Sequence, residues 1–120
     1  MNLKAKVFDI AQSLEQAAGN EKLAKELFEM LLAELPSLLS GLKQAIGSLD
    51  WQSCWDHAHK IYGSTAYCGV PALRAVAQQL ENSIKAREQQ RVHTDSQLLE
   101  VEVNRLLEEG PEYLQQSWVT

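Results

Sequence analysis

Residues 20–47, NEKLAKELFEMLLAELPSLLSGLKQAIG, set the architecture of the chain. Leu23, Leu27, Met30, Leu31, Leu35, Leu38, Leu42 and Ile46 recur mostly at three- and four-residue steps, the spacing that gathers apolar side chains on one face of a helix. Asn20 is a suitable N-cap, because its side-chain oxygen can accept from a free N–H of the first turn. Pro36 interrupts the run. Its ring removes a backbone donor and clashes with the preceding turn, so a kink or break is expected there although the stripe keeps its phase.

Toward the N-terminus, Leu3, Val7, Ile10, Leu14 and Ala17 form another stripe, which Gly19 ends, giving a first helix. Toward the C-terminus, Asp50 can cap a third helix running to about Gly69, with Cys54, Ala58, Ile61, Thr65 and Cys68 on its core face. Pro71 suits the first position of a fourth helix, buried through Leu73, Val76, Leu80 and Ile84. After the polar stretch Glu88 to Gln90, Thr94 or Asp95 can cap a fifth helix carrying Leu99, Val103 and Leu106, which Gly110-Pro111 should end, leaving Tyr113, Leu114 and Trp118 in a short tail. No segment alternates as a strand would, and short connections favour antiparallel neighbours. The expected fold is all-α: an up-and-down antiparallel four-helix bundle with an extra N-terminal helix and a short C-terminal tail.

The 120 residues show no repeat, low-complexity tract or linker, so residues 1–120 are expected to form a single domain. A charged fraction of 22% and an apolar fraction of 45% fit an ordinary globular protein. The net charge of −5 argues against a nonspecific nucleic-acid binder, whose affinity comes from Lys and Arg neutralising phosphates. No apolar run approaches the roughly 20 residues that span a bilayer, and the start lacks a signal-peptide core, so a cytoplasmic location without direct membrane contact is expected. On one helix, Cys54 and Cys68 would lie about 21 Å apart, outside disulfide reach. Both fall on the apolar stripe and read as small core residues.

The third helix departs from what a plain bundle wants. His59 lies about 200° around it from Ile61 and should face solvent. Gly63, one turn further on the same face, costs about 1 kcal/mol relative to alanine inside a helix. A packing glycine would explain it, but its exposed phase favours the other reading: with no side chain at i+4, another protein can approach the imidazole closely.

The stretch His59-Lys60-Ile61-Tyr62-Gly63-Ser64-Thr65-Ala66-Tyr67-Cys68-Gly69 resembles the phosphoacceptor motif of histidine-containing phosphotransfer (HPt) domains, which have a histidine, a glycine four residues later and small residues after it. The longer run from Ala58 to Glu81, with Gly69-Val70-Pro71, and the earlier Ala17-Ala18-Gly19-Asn20 with Leu23-Ala24, are similar to the C-terminal HPt domain of hybrid sensor kinases of the GacS and BarA type. The resemblance implies that the segment comes from the C-terminal end of a longer hybrid sensor histidine kinase, the cytoplasmic portion of an inner-membrane protein. It makes His59 the phosphoacceptor, taking a phosphoryl group from a receiver-domain aspartate and passing it to a response-regulator aspartate. Glu81 then falls where related domains hold the inner ring nitrogen.

Many members carry a lysine three residues after the histidine, where this chain has Tyr62; Lys60 or Lys85 could supply that charge, or either could serve solubility alone. Trp55, Tyr62, Gly63 and Ser64 are the residues expected to meet the partner, although aromatic residues on a bundle are also frequent core residues. The partners implied are the receiver domains of a hybrid kinase and of a response regulator. No cofactor is implied in this domain; Mg²⁺ is expected in the partner receiver.

Two other histidines compete with His59. His57 borders the core stripe and His93 falls in a turn; His57 and His59, two apart on a helix, point in opposite directions and cannot chelate one ion. Without a glycine-rich phosphate loop or nucleophile–base set, the isolated domain is not expected to be an enzyme. The alternative reading is a helical adaptor or dimerisation bundle in which His59 and Gly63 are incidental.

Overall fold

The computed structural model describes residues 5–119. Five α-helices and one short 3₁₀ turn, with no strand among these residues, follow in order: α1 (Ile10–Gln16), α2 (Glu21–Gly47), α3 (Trp51–Ser64), the 3₁₀ turn (Thr65–Tyr67), α4 (Pro71–Lys85) and α5 (Gln89–Gln115). Helices α2 to α5 pack in a closed ring, each against its neighbours in sequence and α5 back against α2. This is the expected four-helix bundle, with α1 as an accessory. Its centre is apolar: Phe28, Leu35, Leu42, Ile61, Leu80 and Leu99 are fully buried, each stabilising the fold by about 1.5–3 kcal/mol relative to an exposed side chain.

The helix starts follow from side-chain caps. Asn20 Oδ1 accepts from Leu23 N at 3.0 Å, and Asp50 Oδ1 accepts from Ser53 N at 3.1 Å, each satisfying a donor that the first turn leaves free. Pro71 opens α4, where its missing N–H costs nothing. The α2–α3 and α4–α5 links are so tight that Leu49 (φ 55°) and Arg87 (φ 51°) take the left-handed conformation, at roughly 1–2 kcal/mol each.

Several expectations need correction. Leu3 lies outside the described residues, and α1 begins only at Ile10, capped by Asp9. The preceding segment spends its backbone on long-range bonds: Asp9 N donates to Gly69 O (2.8 Å) and Ala72 N to Lys6 O (2.9 Å). It lies as a strap on the α3–α4 connection, with Phe8 stacked among Phe28, Tyr113 and Trp118.

In α2 the buried face is rotated from the expected one. Ala24, Phe28, Leu31, Leu35, Leu39, Leu42 and Ala45 are inside, whereas Leu23 and Met30 are exposed, Met30 by 56%. Adjacent apolar pairs such as Leu27-Phe28 and Leu38-Leu39 permit either phase, and the aromatic cluster around Phe28 selects one. The helix also runs unbroken through Pro36, which sits on its exposed side.

Helix α3 ends at Ser64, not near Gly69; the 3₁₀ turn and an extended Cys68 follow, although all five stripe residues are buried as expected. Helix α5 starts at Gln89 and continues through Pro111 to Gln115, so Thr94, Asp95 and His93 lie within it, as do Tyr113 and Leu114. Asp95 is no cap: its buried carboxylate accepts from Ser83 Oγ and Gln79 Nε2 on α4.

Candidate functional site

The centre of α3 presents His59 on its outer face, with the side chain 61% exposed. The core stripe of Cys54, Ala58 and Ile61 fixes the rotation of the helix, and this rotation turns His59 outward. Across the α3–α4 interface, Glu81 is only 8% exposed, and its Oε2 lies 2.6 Å from Nδ1 of His59. A carboxylate oxygen can only accept, so in the neutral imidazole Nδ1 carries the proton and Nε2, directed away from Glu81, holds the lone pair. Glu81 is thus not a solvated helix charge. A charge so enclosed needs a partner, and among the described residues the imidazole is the one it has.

The other expected residues divide around this pair. Trp55, one turn before His59, stacks on the imidazole with ring centroids 5.1 Å apart and planes 14° apart. Lys85, one turn after Glu81, places Nζ 5.5 Å from the centroid of the Trp55 ring. Gly63 is exposed, and a Cβ built there would meet nothing within 4 Å. This is open space, not packing. Lys60 is exposed and makes no ion pair among the described residues, while Ser64 Oγ donates to Lys60 O at 2.9 Å.

Tyr62 is half-buried and engaged elsewhere. The Arg74 guanidinium lies 4.3 Å over its ring and donates to Tyr62 Oη and to Thr65 Oγ1, both at 2.9 Å. The sequence reading missed Arg74, although residues 74, 81 and 85 share one face of α4 at steps of seven and four. It missed an apolar groove as well. Between α2 and α3, Leu27, Met30 and Tyr67 join His59, Lys60 and Gly63 around an open groove of ≈ 580 Å³. The misassigned phase of α2 hid it, because Met30 had been expected inside.

His57 turns toward α2. Its Nδ1–H donates to Ser53 O at 2.8 Å, and its ring lies against Gly41, where a Cβ would stand 2.3 Å from Nε2. His93 lies exposed on α5. No group of three or more His, Cys, Asp or Glu side chains among the described residues is arranged to hold a metal ion. Both cysteines are buried and free. Burial pushes the Cys68 thiol up to about 11 and raises that of Cys54, with the nearby Asp50 charge adding to the latter.

An exposed imidazole anchored at Nδ1 with open space one turn beyond it is the arrangement the sequence motif implied, and the Hpt domain family matches residues 26–116. The chain belongs to the Hpt domain family. The sensor histidine kinase GacS of Pseudomonas protegens is 36% identical over 85 residues, covering 71% of this chain and 9% of that protein. The histidine-protein kinase BarA of Escherichia coli is 33% identical over 97 residues, covering 81% of this chain and 10% of BarA. This Hpt domain thus spans about a tenth of the length of the curated relatives it matches. Among solved structures, the HPT domain of a sensor hybrid histidine kinase from Shewanella superposes with a TM-score of 0.84 at 26% identity, over 92% of this chain and 96% of that one. The fold and the family read from residues 58–81 are both borne out.

Proposed function

We propose that this Hpt domain is a phosphorelay intermediate in which His59 takes a phosphoryl group from a receiver-domain aspartate and passes it to a response-regulator aspartate. The observation that carries the reading is the 2.6 Å contact between Glu81 Oε2 and His59 Nδ1 on an otherwise exposed imidazole. Burying a carboxylate is costly; placing it against the inner nitrogen of an outward ring has a chemical use.

In the forward step, the Nε2 lone pair attacks the phosphorus of the aspartyl phosphate. The Nε2–P bond forms as the P–O bond to the aspartate breaks, and the aspartate leaves as a carboxylate. The imidazole becomes a phosphorylated imidazolium that keeps its Nδ1 proton, and the Glu81 carboxylate faces the positive charge developing on the ring. Transfer to the response regulator reverses each bond change. Glu81 takes no proton; it holds the tautomer and the charge. Mg²⁺ bound by the receiver would neutralise charge on the transferring group, while this domain supplies the positioned nucleophile.

The groove beside Gly63 offers the receiver an apolar contact, and Lys60 and Lys85 add positive charge near the ring. On this reading the partners are the receiver domains of a hybrid kinase and of a response regulator. No helix among the described residues is long and apolar enough to cross a membrane; with GacS and BarA as relatives, we place the domain in the cytoplasmic portion of a hybrid sensor kinase. The domain needs no ATP site of its own. Incubation with a response-regulator receiver charged with labelled acetyl phosphate should transfer an acid-labile label to the domain, and absence of that label would refute the reading.

A further inference from the structure

We infer that Trp55 is a positioning residue for phosphoryl transfer: its indole, stacked on the imidazole, fixes the plane of the His59 ring and so the direction of the Nε2 lone pair. The inference rests on the phosphorelay reading of His59 and assigns Trp55 a task distinct from docking a partner.

The hydrogen bond from Nδ1 to Glu81 leaves one freedom unsettled. The ring turns about two side-chain bonds, Cα–Cβ and Cβ–Cγ, and the single contact at Nδ1 restrains only one combination of the two rotations. Coupled rotation about both bonds still rocks the ring and swings Nε2 while Nδ1 stays near the carboxylate. The indole plane, 14° from that of the imidazole at a centroid distance of 5.1 Å, opposes this rocking. Side chains on a helix lean toward its N-terminus and over the preceding turn, which brings the His59 ring onto Trp55. By the same rule a side chain at position 63 would lean back over His59, and glycine has none. One face of the ring is therefore covered by tryptophan and the other is left clear.

Trp55 is itself held. It is half-buried, it packs against the hydrophobic core, and Lys85 Nζ stands 5.5 Å from its ring centroid. That contact is a cation–π interaction. It links Trp55 to α4, the helix that also supplies Glu81. The indole does not obstruct the reaction, because an N-nucleophile uses a lone pair in the plane of its ring and the stacked partner covers only a face.

The test uses the domain with Trp55→Ala, Trp55→Leu and Trp55→Phe. Single-turnover transfer is measured over a range of concentrations of a receiver charged with acetyl phosphate, and ring-proton shifts of His59 are followed by NMR. In the wild type the His59 protons should be shifted upfield by the indole ring current. Trp55→Ala and Trp55→Leu should abolish that shift and lower the maximal transfer rate about 10- to 100-fold, with little change in the half-saturating receiver concentration. Trp55→Phe should restore most of the rate. Trp55→Leu retains apolar bulk, so it reports on the stack even if Trp55→Ala does not fold. A raised half-saturating concentration at an unchanged maximal rate would make Trp55 a docking residue and overturn the inference. So would a normal maximal rate in a variant that has lost the ring-current shift. If the wild type takes no acid-labile label, the phosphorelay reading fails and the inference falls with it, whereas label on the wild type with unaltered variants removes the inference alone.

Discussion

Glu81 and His59, 22 residues apart in sequence and on different helices, meet at 2.6 Å through Oε2 and Nδ1. The carboxylate is the less accessible partner, with its side chain 11% exposed against 61% for the imidazole. An ion pair kept for stability would gain little with one member in water. The asymmetry suits a support that is fixed and a nucleophile that is presented.

Replacing Glu81 with alanine should therefore slow transfer without abolishing it. A hydrogen bond to a charged group contributes about 1.5–3 kcal/mol, which corresponds to a rate loss of roughly tenfold to a hundredfold if it acts fully in the transition state. Glu81→Gln keeps an acceptor and removes the charge, and should fall between the wild type and Glu81→Ala. Rapid-quench transfer from a labelled receiver measures the three rates; an unaltered Glu81→Ala rate would leave the 2.6 Å contact without a role in the chemistry.

His59→Gln should retain the helical circular-dichroism spectrum, because the side chain is largely in solvent and away from the core stripe and the glutamine amide keeps an N–H that can donate to the enclosed Glu81 carboxylate. It should also lose all acid-labile label. His57, bonded to Ser53 and packed on Gly41, is not presented to a partner, and His57→Gln should keep the label. Label persisting on His59→Gln would put the phosphoacceptor elsewhere.

The buried cysteines give a prediction about pH. Burial raises the Cys68 thiol from 9.0 to about 11, so the folded state holds its proton more tightly than the unfolded chain does. The stability contributed by keeping this thiol neutral is fully present below pH 9.0 and is lost as the pH rises toward 11. Chemical melts between pH 8 and 10.5 should show the wild type losing more stability than Cys68→Ala. At pH 8 neither cysteine of the native domain should react with iodoacetamide on the timescale that modifies the urea-unfolded chain; equal rates in the two states would contradict the burial.

How much of this was legible in the sequence varied with the kind of interaction responsible. The caps at Asn20 and Asp50 and the opening proline of α4 are local, and each could be read from a few neighbouring residues. The α3 stripe was legible too, because its opposite face is polar enough to leave one phase. In α2 the broad apolar arc allowed two phases, and Phe8 and Trp118, distant in sequence, decided between them. The strap before α1 depends on bonds to Gly69 and Ala72 that no local pattern announces. At the site, His59 and Gly63 stood out by themselves, and Glu81 was placed by the family resemblance. The Arg74 contacts and the Lys85–Trp55 contact depend on the register of α3 against α4, which periodicity does not supply.

The last prediction concerns two glycines that a sequence alone cannot rank. Gly69 is a close-approach position: a Cβ there would lie 2.2 Å from the backbone oxygen of Asp9 and 2.9 Å from the backbone nitrogen of Ser13. Gly69→Ala must push the N-terminal strap away, and should destabilise the domain by about 1–3 kcal/mol. Gly63 has nothing within 4 Å, so Gly63→Gln should raise stability by several tenths of a kcal/mol, up to about 1, as glycine is exchanged for a better helix former. The effect on function should run the other way. The new side chain at i+4 leans over the imidazole and into the groove shared by His59, Lys60 and Met30, so transfer to and from a receiver should fall steeply in a domain that melts no lower than the wild type. Phosphorylation by phosphoramidate, a donor small enough to pass the glutamine, should suffer less. Unfolding of Gly63→Gln would make Gly63 a packing residue after all, and a folded variant that exchanges phosphate with a receiver at the normal rate would show that access to His59 is not what the glycine provides.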